Sequence, residues 1–173
     1  MVTINTINTG TGTTGQVLTS NGTPNAPTFQ TGSATSVKLT LSSSDIKSLN
    51  GTPIELIPAQ GANQVIRVLG VTSKFVYGGS NVFIAAAGQT VQIYYAGTSS
   101  IALLTTVFNG QLTAAASTFQ ASEVTGVINN KAVGEIDNVA VMVNNPVANE
   151  ITGNAGNDNE IIIEAVYMVG DLS

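Results

Sequence analysis

An all-β fold is what this chain predicts: a jelly-roll-like antiparallel β-sandwich behind an extended N-terminal arm. Three observations predict it. From residue 35 onward the apolar residues come in short runs with period-two alternation, the spacing of strands with distinct faces. Clusters of Gly, Asn, Asp and Pro separate about eight such runs, and no long helical period intervenes. Residues 1–34, in contrast, hold no charged side chain and little that is large and apolar beyond Val2, Ile4, Ile7, Val17, Leu18 and Phe29. The expected organisation is an arm over 1–34 and one sandwich body over 35–173.

The elements follow in order. Glycine and threonine in 1–34 show no period able to bury a core, so the arm reads as extended until it lies against a partner. Val37, Leu39 and Leu41 alternate with Lys38, Thr40 and Ser42 in a first strand. The stretch 45–77 is the backbone of the body. Ser42 and Asp45 have capping-box spacing for a one- or two-turn helix, which Asn50-Gly51 should close in left-handed conformation. Pro53 forbids continuation, 54–57 reads as a strand ending at Pro58, and Gln60-Gly61-Ala62-Asn63 is a turn. A long strand follows over 65–77. Strict alternation puts Val65, Arg67, Leu69, Val71, Ser73, Phe75 and Tyr77 on one face and Ile66, Val68, Gly70, Thr72, Lys74 and Val76 on the other.

Further along, Gly78-Gly79-Ser80-Asn81 is a loop, 82–86 a brief strand and 90–96 an alternating one. The run 101–108 leads into Asn109-Gly110, a hairpin signal, with a weak return strand over 111–115. Residues 114–131 fit a loop, a short helix near 121–124 or a strand over 124–128. The runs 136–143 and 160–169 read as strands, the latter apolar on both faces.

Composition narrows the function. Charged residues are 9% of 173, well below the roughly 25% typical of soluble domains, so the wetted surface must come from Thr, Ser, Asn and Gln. Strands apolar on both faces want cover, and copies of the same chain provide it, which predicts a homo-oligomer. A net charge of −5 with five scattered Lys and Arg gives no footprint for nucleic acid. No apolar run of about 18 residues exists to cross a membrane as a helix, and the start shows no secretory signal. With no Cys and no His, thiolate chemistry, the commonest general base and the commonest metal ligand are all missing.

The segment 12–29 resembles a motif recurring in bacteriophage virion proteins, among them tail fibres, head fibres and capsid decorations. The motif runs G-x-x-G-Q-V-L-x-S-x-G and then a Pro and an aromatic. The matching positions are Gly12, Gly15, Gln16, Val17, Leu18, Ser20, Gly22, Pro27 and Phe29, with Phe29 where Trp is usual. The phrase Pro53-Ile54-Glu55-Leu56-Ile57-Pro58-Ala59, after its short helix, is similar to a module of phage structural proteins. The resemblance covers about a third of the chain. It implies a structural component on the particle surface: a homotrimeric capsid decoration (cement) protein or head fibre. Val17, Leu18 and Phe29 would attach it to the major capsid protein or another virion protein. The alternative it implies is a tail-associated receptor-binding protein, with a host surface glycan held by Tyr- and Asn-rich loops.

Chemistry is sparse beside this. Gly156-Asn157-Asp158 in the loop 152–160 is similar to the turn that binds calcium in stacked repeats, with Glu160 as a further ligand. Only one copy is present, and an Asn/Gly/Asp hairpin loop explains it. Glu135/Asp137 and Glu160/Glu164 would sit on single strand faces, where alternate residues are about 7 Å apart, but no Trp stands by for a sugar. Without His no Ser-His-Asp triad forms. The letters of G-x-G-x-x-G at 10–15 lack a flanking strand and helix. Tyr77, Tyr94, Tyr95 and Tyr167 are strand positions that usually pack. The expectation is a protein without catalytic residue, cofactor or metal.

Overall fold

The structure, a computed structural model, describes residues 16–19, 27–31, 34–96, 101–104, 109–123 and 132–173. The chain divides into two compact units, Met1–Thr35 and Ser36–Ser173. In the first unit, β1 (Gln16–Thr19) and β2 (Thr28–Thr31) pair antiparallel, a local ladder that the glycine/threonine pattern did not announce.

The second unit begins within β3 (Thr35–Leu41), which α1 (Ser43–Ser48) follows. Ser42 caps α1 as its spacing to Asp45 requires: the Asp45 amide donates to Ser42 Oγ (3.3 Å) and the Ser42 amide to Asp45 Oδ2 (2.9 Å). The far end corrects the expectation. Leu49 is a right-handed cap and neither Asn50 nor Gly51 has positive φ. Their two amides instead donate to the Glu150 carboxylate, at 2.9 and 2.7 Å, so a distant side chain does the work of a left-handed residue.

Two strands follow, β4 (Ile54–Ile57) and β5 (Gln64–Val76), joined by a turn with Gly61 and Asn63 at positive φ. Next come β6 (Phe83–Ile84), β7 (Gln92–Tyr95) and β8 (Ile101–Leu104). The Asn109-Gly110 hairpin does not form. Asn109–Leu112 is one helical turn, α2, which buries the consecutive side chains of Gln111 and Leu112 where an alternating strand would bury only one. Ser73 Oγ donates to Gln111 Oε1 (2.6 Å), anchoring that turn to β5.

After it come β9 (Thr118–Glu123), which replaces the helix considered near 121–124, and α3 (Val133–Ile136). The strand expected over 124–128 lies outside the described residues. The strand expected over 136–143 shrinks to β10 (Val141–Asn144), because Asn138 turns the chain at φ 52° and its Oδ1 accepts the Gly61 amide (2.9 Å). The chain closes with β11 (Thr152–Gly153) and β12 (Glu160–Asp171).

Two four-stranded sheets carry the body, ordered β3-β12-β5-β9 and β4-β10-β7-β8. Of these eight strands the first in sequence lies beside the eighth, the second beside the seventh, the third beside the sixth and the fourth beside the fifth. A hairpin of paired strands wound into two sheets has this order, so the body is an all-β jelly-roll sandwich. Its core lies between the inner faces. Ile57, Ile93, Tyr95, Val141 and Val143 meet Leu41, Ile66, Val71, Phe75, Ile161 and Ile163, with Ile46, Leu49 and Leu112 closing the sides.

One irregularity overturns the two-face reading of β5. Register against β12 runs Val71↔Ala165, Gly70↔Val166, then Val68↔Tyr167, leaving Leu69 as the extra residue of a bulge. The inward set is therefore Ile66 and Val68 before the bulge but Val71, Ser73 and Phe75 after it. Much of what looked like a strand greasy on both sides is one buried face that changes parity at Leu69.

Candidate functional site

Of the predicted attachment residues, Leu18 stands directly opposite Phe29 in the β1–β2 register, and Val17 opposite Gln30. Opposite positions are the nearest across an antiparallel ladder, so the pairing brings together two residues eleven positions apart in sequence. Gly12, Gly15, Ser20 and Gly22 of the motif lie outside the described residues.

In the body, a dense polar constellation joins three segments: α1, the loop 78–82 and the loop 153–159. Gly153, Asn154 and Asn157 all take positive φ, which Gly and Asn tolerate best, and coil the second loop tightly. The first loop closes on it only because residue 78 is glycine: a Cβ there would stand 2.4 Å from Asp158 Cγ. Asn154 is the hub and is fully buried. Its Oδ1 accepts from Ser43 Oγ (2.6 Å) and the Asn159 amide (3.2 Å), while its Nδ2 donates to the Asn81 carbonyl (2.8 Å) and Asp158 Oδ1 (2.7 Å). Asn159, also buried, donates to the Asn81 carbonyl (2.7 Å) and accepts the Gly78 amide (2.9 Å).

This geometry settles what the loop's oxygens are used for. Lys47 Nζ donates to the carbonyls of Gly153 and Asn154 (3.3 Å each) and to Asn157 Oδ1, so the ammonium takes oxygens that a calcium turn would offer its ion. Asp158 is turned to Ser80 and Asn154, and Glu160 stands exposed at the start of β12. Among the described residues no three Asp or Glu side chains gather as a metal site would need. Lys47, Asn81, Asn154 and Asn159 form a clamp that sequence reading did not single out. The only signal was the density of Asn and Gly near one acidic residue.

The hydrogen bonds from Asn154 and Ser80 hold the Asp158 carboxyl below the usual aspartate range, because they favour its charged form. A depressed folded-state pKa adds stability that is present above the unfolded value and lost as pH falls through the folded one. Thermal unfolding followed from pH 7 into acid should therefore show wild type losing its advantage over Asp158→Asn below the ordinary aspartate range. An advantage independent of pH would sink this account.

The remaining candidates disperse. Glu135 caps α3 by accepting the Ala132 amide (3.0 Å), with Asp137 just beyond the helix, so these two are not strand neighbours. Glu164 is exposed on β12. Tyr94 and Tyr95 are buried, burial raises the pKa of both hydroxyls, and Tyr95 donates to the Ile66 carbonyl. Tyr77 and Tyr167 pack against the core cluster.

No family model matches the chain, and no curated protein does. Among solved structures it is similar to the PRD1 vertex protein P5, at 14% identity and a TM-score of 0.37, over 91% of this chain and 84% of that one.

Proposed function

We propose that the protein is a non-catalytic structural component of a bacteriophage particle. It acts as a homotrimeric capsid decoration (cement) protein or head fibre on the particle surface. It docks to the major capsid protein or another virion protein through its N-terminal unit, with Val17, Leu18 and Phe29 as the attachment residues. One observation carries this reading. The segment that resembles the virion motif is a two-stranded ladder in a unit of its own, with Leu18 opposite Phe29. An isolated two-stranded hairpin is marginal in water and gains most by packing on a further surface. Ordering such a segment costs entropy, which three arms acting from one assembly offset by avidity. The glycan-binding alternative fits less well, since Tyr94, Tyr95, Asn154 and Asn159 are all interior.

Removing residues 1–30, or introducing Leu18→Ser with Phe29→Ser in the full chain, should leave the body's circular dichroism and melting temperature unchanged. It should abolish incorporation into particles. Truncated protein that still decorates particles would falsify the attachment role.

A further inference from the structure

We infer that the outer face of the β3-β12-β5-β9 sheet is where copies of this chain meet. The inference rests on the proposed assembly of copies and names the surface that makes it.

The register fixes what shares that face. Outward rows across β12, β5 and β9 are Ile162, Lys74 and Phe119, then Glu164, Thr72 and Ala121. Past the bulge Met168 pairs with Arg67, and on β3 Lys38 is exposed between half-buried Val37 and Leu39. The face is partly apolar: Phe119 is 69% exposed, and Leu69 and Val166 are each 38% exposed.

Glu55 and Asp137 aside, the charges elsewhere on the described body are engaged. Asp45, Lys47, Glu135, Glu150, Asp158 and Asp171 are each tied into a hydrogen bond with a cap, a loop or the chain end. Lys38, Arg67, Lys74, Glu160 and Glu164 make no such bond among the described residues, and all lie on this one face. Their order is a pattern: acids on β12, with Lys38 on β3 to one side and Lys74 and Arg67 on β5 to the other. Together these five residues, three positive and two negative, leave the face close to neutral, while the whole chain carries −5. Copies that approach elsewhere meet like charge. Here they meet a mixed-sign stripe that, offset by one strand, sets acids over bases around an apolar patch. A partner of single-signed charge would want a single-signed face; a second copy fits this one.

The test uses the full-length chain, with solution mass from light scattering and folding checked by circular dichroism. Wild type should have a mass near three chains. The acid-stripe variant Glu160→Lys/Glu164→Lys and the basic-stripe variant Arg67→Glu/Lys74→Glu should each fall to one chain. Phe119→Ser, which changes no charge, should weaken association at least tenfold if a charge variant proves poorly folded. Single-chain wild type, or variants that keep the wild-type mass, would overturn the interface. Particle incorporation on the same samples separates the two readings. Monomeric protein that still decorates particles removes the interface alone, and assembled protein that never enters particles removes the virion role alone.

Discussion

Asn154→Ala should destabilise the body by about 4 kcal/mol in urea unfolding, since each buried group left unpaired costs about 1–3 kcal/mol. The substitution leaves Ser43 Oγ and the Asn159 amide without an acceptor in a fully buried place. It also leaves alanine at φ 43°, a left-handed conformation that asparagine tolerates through its local side-chain hydrogen bonds and that costs alanine about 1 kcal/mol. Asn154→Gly separates the two contributions, because it relieves the backbone and keeps the orphaned donors. It should recover only about 1 kcal/mol of the loss. Against a total stability of about 5–15 kcal/mol, the alanine variant would be close to unfolded at the lower end. A loss below about 1 kcal/mol would mean that water satisfies these groups and the clamp is dispensable.

Two single deletions in β5 should differ sharply, although both remove an exposed residue. Without Leu69 the bulge is gone and Ile66, Val68, Val71, Ser73 and Phe75 still alternate inward, so the cost should stay within about 1 kcal/mol. Deleting Lys74 offers no such escape. Either the bulge stays and Phe75 turns outward, or it irons out and Val71 and Ser73 do. Phe75 is fully buried and its ring lies 6.3 Å from that of Phe83, so the loss should approach the roughly 3–5 kcal/mol of a Phe→Ala truncation. Equal midpoints in denaturant for the two deletions would show that the register is not set by this parity.

The bulge also shows where sequence reading stops. Local chemistry was legible: Ser42 and Asp45 cap α1, Pro53 and Pro58 bracket β4, and Gly61 with Asn63 makes the turn before β5. Each of those outcomes depends on residues a few positions apart. Alternation along 65–77 was legible only up to Leu69, because a single unpaired residue reverses parity without changing composition. Asn109-Gly110 failed as a hairpin because tertiary burial of Gln111 and Leu112 outweighed a turn preference. Glu150 holding the end of α1 from a hundred residues away left no local trace. The clamp was invisible for the same reason: its members lie on segments that only the jelly-roll winding brings together.

That winding also bears on how the chain comes to be folded. β3 finds its neighbour in β12, more than a hundred residues later, and β4 finds its in β10. During synthesis, the first strands of the body must therefore wait, unpaired, until nearly the last has emerged. Folding dominated by such long-range pairing runs in milliseconds to seconds rather than microseconds, leaving apolar edges open to other chains meanwhile. A chain made in many copies at once, as a particle component would be, meets that hazard at its highest concentration. Its low charge offers little electrostatic protection then, so the time taken for β12 to reach β3 and β5 sets the window for aggregation.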